Sequence, residues 1–339
     1  SAGLNASWKP NNSLQFSVQG LYKQIGNAEP KGTQLDFAIA DWALADEFEY
    51  GAGVRVGRLK NPYGFFNETR DVAATRPSLL LAESIYIDYL QALFHSMDSV
   101  GVYLRGELDS GTLSLESNFG KPILTSDITY TLMGGNPLTG DIVSERASMS
   151  RLMFEDGGGL WRAALSYVWF YGDYRAGPSE PVGLVDGKLD VKQLMVSFEY
   201  NLGDWQFISE AQRRDVSIKD SFRFPVPFNV LDKSLGYYLQ IGYRVSDELN
   251  TYVRRDEAFY DKDDKKGVNY QAFGRGNDHA AFAKDLTFGL SYTPSFEWNF
   301  GVEFHVVDGT YWLPNLENPD VAGQKQHWNM FLAQVAYRF

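Results

Sequence analysis

Arg55, Arg58, Lys60 and Arg105 form a basic set, and Glu68, Arg70, Asp71 and Arg76 follow one another closely in NPYGFFNETRDVAATRPS. Held face to face across a narrow wet gap, such opposed charges create a transverse field that orders water and orients dipolar solutes. That chemistry selects a solute without making or breaking a bond. It requires a scaffold that carries the basic set on a wall and folds the second segment toward it.

Signals for bond-making chemistry are poor. GAGVRVG at 51–57 has glycine spacing that suggests a phosphate loop, but it reads as strand with no helix after it, so its small residues are expected to make room for a folded loop. Asp261, Asp263 and Asp264 in DKDDKKG miss the calcium-loop spacing, and the lysines dilute their charge. His95, His279, His305 and His327 are scattered; only His305 has a nearby inward carboxylate, Glu303, and it is expected to line a pore rather than ligate. There is no GxSxG, HExxH or P-loop motif. No catalytic residue, metal or cofactor is therefore expected, and the chain is not expected to be an enzyme.

The elements that must position these charges follow from composition and pattern. The 339 residues include 44% apolar and 15% aromatic side chains, no cysteine, and a formal net charge of −12. This excludes intrinsic disorder, a disulfide scaffold and thiolate metal sites, and it argues against a nucleic-acid partner. No stretch of 18 uncharged apolar residues occurs; Leu79–Leu93 comes nearest and is broken by Glu83 and Asp88. A mean hydropathy of −0.30 nevertheless suits a transmembrane barrel, where only alternate residues face lipid. SAGLNASWKP lacks the basic and apolar regions of a signal peptide, so an exported chain would already have lost its leader.

Period-two alternation runs from end to end. In FEWNFGVEFHV, Phe296, Trp298, Phe300, Val302, Phe304 and Val306 share one face, and Glu297, Asn299, Gly301, Glu303 and His305 the other. Strands are predicted at 2–9, 13–24, 33–46, 47–60, 98–109, 111–120, 145–156, 158–172, 187–202, 204–218, 234–246, 248–260, 282–294, 296–308 and 329–339. Tight turns alternate with long polar connections, which describes one all-β domain over 1–339: an antiparallel up-and-down barrel in a bacterial outer membrane. Charges share the polar parity, apart from Arg213 and Arg255, which are placed near the outer interface, against lipid phosphates or a subunit contact. Aromatics beside the turns, such as Trp8, Trp161, Trp205 and Trp298, fit two interfacial girdles. Because such barrels close with an even number of strands, sixteen are expected, the first lying upstream of this chain.

Gly57, Arg58, Leu59, Lys60 and Pro62 end a strand and open the long segment 61–97. With GLNASWKPNNSLQFSVQG before it, this GRL-(K/R)-x-P motif resembles the gammaproteobacterial porin-like outer-membrane proteins. The barrel pattern covers most of the chain, and the sequence-specific likeness covers roughly residues 2–90. The final AYRF, closing on Phe339, resembles their assembly signal. The resemblance implies a diffusion channel for small hydrophilic solutes, commonly a homotrimer in lipid and lipopolysaccharide, with its long loop folded into the lumen. On that reading the eight charges above form the constriction. Open alternatives are a channel specific for sugars or organic anions, and a non-transport barrel, either a surface enzyme or a scaffold.

Overall fold

Strong alternation becomes strand throughout. The computed structural model describes residues 2–23, 32–87, 91–124, 139–180, 184–220, 230–313 and 317–338. Its strands are β1 (Ala2–Trp8), β2 (Leu14–Lys23), β3 (Gly32–Asp46), β4 (Tyr50–Lys60), β5 (Ser96–Leu108), β6 (Gly111–Pro122), β7 (Asp141–Asp156) and β8 (Trp161–Arg175), followed by β9 (Gly187–Leu202), β10 (Trp205–Lys219), β11 (Val230–Arg244), β12 (Leu249–Phe259), β13 (Phe282–Tyr292), β14 (Trp298–Gly309) and β15 (His327–Tyr337). They form one 15-stranded sheet in which sequence neighbours pair, and the pairing is antiparallel at each step. The predicted strands are all present, with ends shifted by a few residues. Phe339 lies outside the described residues.

Connections at one end are tight. Gly203, at φ 61°, completes the turn between β9 and β10 because only a residue without Cβ adopts that conformation freely. At the other end they are long, and the longest joins β4 to β5 through the short helix α1 (Gln91–His95).

Cross-strand register gathers the outward side chains into rows. Leu104, Leu115, Leu152, Leu165 and Val196 lie side by side from β5 to β9, each between 38% and 53% exposed. A continuous apolar row on the outside of a curled sheet is a surface for hydrocarbon rather than water. Aromatic pairs mark its turn end, with Trp205 4.7 Å from Tyr243 and Trp298 4.8 Å from Tyr337. Toward the long-loop end, Arg146 lies over Trp169 and Tyr171. Arg213 and Arg255 do point outward, each paired with an acid two residues along its own strand, Asp215 and Glu257. Among the described residues β1 pairs only with β2 and β15 only with β14, so the sheet keeps two edges, and residues of both line one cavity of about 830 Å³.

The interior departs from simple alternation. On β7–β10 the inward face mixes apolar with polar side chains: Met149, Val168, Phe170, Met195 and Ile208 are buried in one cluster with Tyr63, Phe65, Phe66, Ile85, Tyr86, Leu93 and Phe94 of the long loop. A packed apolar core therefore lies on the inner side of the curled sheet. Each large apolar side chain buried there contributes about 1.5–3 kcal/mol.

Candidate functional site

The site is the 61–97 segment and the lumen wall it meets. Its first turn is built around one hydroxyl: Tyr86 donates to Glu210 Oε1 at 3.0 Å and accepts from the backbone N–H groups of Phe65 and Phe66. Donor and both lone pairs are thus used. Burial, with the adjacent Glu210 carboxylate, pushes the Tyr86 phenol well up, so it stays a donor. Gly64 holds φ 60° here and has no room for a side chain beside Tyr86 and Met195. Its N–H donates to Ser166 Oγ, and its carbonyl accepts from Arg151.

Around the ring the loop is pinned wall by wall. Tyr63 donates to Gln212 at 2.9 Å, and Gln212 in turn donates to the Ser84 carbonyl. Leu79 and Leu80 donate their N–H groups to the two oxygens of Glu303 at 3.0 and 3.1 Å, while Arg254 donates to the Leu80 carbonyl at 2.7 Å. Gln240 donates to the Pro77 carbonyl, and Arg76 reaches across to Gln334 on β15 at 2.7 Å. Loop groups therefore touch both flanks and the far side of the wall.

The predicted charges are distributed differently from a single opposed field. Glu68 meets Arg151, at 2.6 Å, and from there an alternating chain runs through Glu116 to Arg55 and Asp41. Asp71 is bound by Lys23 at 2.9 Å and by His95 at 2.8 Å, with Lys60 beyond at 3.7 Å. Lys60 pairs with Asp36 at 3.0 Å. Arg70 turns back to the Tyr86 carbonyl inside the loop. Arg105 sits near the turns, 3.6 Å from Glu107. Arg58 is not brought to the lumen: it pairs in register with Asp98, whose row carries the exposed Val100 and Val102, and forms a two-pronged ion pair on the outside. The acids and bases meet directly where an open gap is expected, because hydrogen bonds to β7, β10 and β14 hold the loop against the wall.

Two smaller expectations also change. The bare side of Gly53 is filled by the ring of neighbouring Tyr103, not by the loop. His305 does not line a pore; it is buried between Asp285 at 2.7 Å and Glu303 at 3.2 Å, where it supports the carboxylate that holds the loop.

Asp36, Asp71 and His95 place ligand-type atoms within 4.8 Å of one another. Lys23 and Lys60 balance the two carboxylates, so the group is a latch joining loop, β2, β3 and β4. Burial alone would raise the Asp71 carboxyl, but His95 and Lys23 outweigh it and hold it far below the ordinary range. Alternation could not find Asp36, which is the extra residue of a β-bulge opposite Gln19 and Gly20. Arg151 carried the right inward parity and was legible in principle.

No protein-family model matches the chain, and no curated protein matches it. Solved structures do. The chain is similar over 99% of its length to OmpF of Salmonella typhi in complex with daunomycin, at TM-score 0.58, 12% identity and 89% of that chain. It is similarly related to the outer-membrane channel DcaP of Acinetobacter baumannii, at TM-score 0.56, 12% identity and 84% of that chain. A loop-deleted OmpT, an outer-membrane protein of Vibrio cholerae, gives TM-score 0.56, 13% identity and 89% coverage. The fold is that of the outer-membrane porins.

Within this porin fold the pinned loop divides the turn-side lumen into polar spaces. One, of about 500 Å³, runs along the Glu68, Arg151, Glu116 and Arg55 chain; another, of about 600 Å³, lies under Arg76 and Pro77 against β9–β14.

Proposed function

We propose that the protein is a passive channel of the bacterial outer membrane for small hydrophilic solutes, narrowed by the 61–97 loop, and that it works as a conduit without catalysis. One observation carries the reading: the loop is bonded to strands as far apart as β7 and β15 through Arg151, Glu210, Glu303 and Gln334, and leaves polar cavities beside it. Ion pairs along those cavities favour entry of hydrated solutes over apolar ones. The outward apolar rows and aromatic ends support residence in a bilayer.

In the same reading the two sheet edges, β1 and β15, are joined by a sixteenth strand, and three copies assemble as in the resemblance noted above. Hydrogen exchange on the membrane-embedded protein tests the closure: amides of Ala2–Trp8 and His327–Tyr337 that face the gap should be protected. The channel itself is tested in planar bilayers. Discrete conductance steps are expected on adding purified protein; their absence at any voltage would favour a non-transport barrel.

A further inference from the structure

The two flanks of the loop differ in chemistry. Toward β3–β7 the wall is the chain of paired charges. Toward β9–β14 six consecutive strands each supply one neutral hydrogen-bonding side chain: Asn201, Gln206, Gln240, Asn250, Ser291 and Asn299. They line the cavity of about 600 Å³ whose roof is the loop at Thr75, Arg76 and Pro77. Cavities of about 300–1,000 Å³ hold small organic ligands.

Charges bordering this space are already engaged. Arg162 lies 2.6 Å from Glu199, Arg244 lies 3.0 Å from Asp204, and Arg76 in the roof donates to Gln334 at 2.7 Å. The carboxamides are only half used. Asn201 and Gln206 both donate to Glu199, at 3.2 and 3.0 Å, which fixes their carbonyl oxygens away from it. Asn299 donates to Ser291 and Thr293. Gln240 donates to Pro77, and its Oε1 is buried with no partner. Among the described residues Asn250 makes no side-chain hydrogen bond.

We propose that this cavity is a station for uncharged, polyhydroxylated solutes of simple-sugar size; the inference rests on the channel reading above. A hydroxyl both donates and accepts, so a polyol exchanges its water for amide oxygens and N–H groups with little loss. An ion gains less, because the amides carry no net charge and the ionic groups around them already have partners.

Efflux of radiolabelled glucose, gluconate and glucosamine from proteoliposomes tests this, since the three are similar in size and differ in charge. Glucose should leave faster than both by about threefold or more, the weight of one net hydrogen bond. The double variant Asn250→Leu with Asn299→Leu should bring the ratio to about one, whereas Asn250→Gln with Asn299→Gln should keep it. Heat-modifiable gel migration verifies that each variant is folded. Equal efflux of the three from wild type, faster efflux of a charged analogue, or a glucose preference that survives in the leucine variant overturns the station. Efflux of none of them overturns the channel reading itself.

Discussion

Asp71 and Gly236 show how single residues set the loop. A carboxylate depressed in the folded state contributes stability that is complete above its unfolded value and lost as pH falls through the folded one. Asp71 starts from an ordinary value of 3.8 and is held far lower, so its latch should be intact from neutrality down to about pH 4. Titration of Asp71 should therefore add no current noise between about pH 7 and pH 5 in single-channel records. Asp71→Asn should give noisier current at both, because Lys23 and Lys60 lose a partner. Gly236 lies on the inner face of β11 with the Ser84 carbonyl against its bare Cα. Gly236→Val has no space there, and open-channel current should change by about twofold as the loop is displaced; overpacking of this kind costs about 1–3 kcal/mol. An unchanged current would mean that the loop backbone is not the constriction.

The loop and its wall behave as one unit at the scale of elements. Excising residues 64–87 for a short glycine linker should raise conductance severalfold. It should also lower the thermal midpoint, because Met149, Val168, Phe170 and Met195 lose their apolar cover. A loop merely resting in the lumen would give the first effect without the second, and temperature-dependent gel migration separates them. Strand positions were legible because a half-buried strand has a strict period of two. The inner core was not, because apolar residues on both faces of β8, such as Tyr167 outward and Val168 inward, carry no periodic contrast. The loop's length and charges mark it as more than a connection, but its partners were not readable: Arg151, Glu210 and Gln212 lie on strands far away in sequence. Arg58 misleads for another reason. One step of parity separates it from the lumen, and its ion pair with Asp98 satisfies it outside.

Charge selectivity and assembly belong to the whole molecule. The net charge of −12 is carried mainly by connections, while many lumen acids and bases are paired, so a weak cation preference is expected. The reversal potential under a salt gradient measures it, and a clear anion preference would contradict the assignment. Deleting Phe339 should reduce the amount of protein inserted in the outer membrane without reducing its synthesis; normal insertion would remove the case for a terminal assembly signal.

Many of the contacts that seat the loop join distant parts of the chain. Arg76 and Gln334 are 258 residues apart, and Leu79 and Glu303 are 224 apart. Contacts of such range form late, after the chain entropy of closing them has been overcome. During refolding into lipid the molecule should therefore pass through a hollow stage, with its strands paired and its interior still wet, before the segment settles. In a Phe66→Trp variant, whose added indole lies in the inner cluster, quenching by a small aqueous quencher, taken as the difference from wild type, should fall in a later kinetic phase than the rise of β-sheet signal.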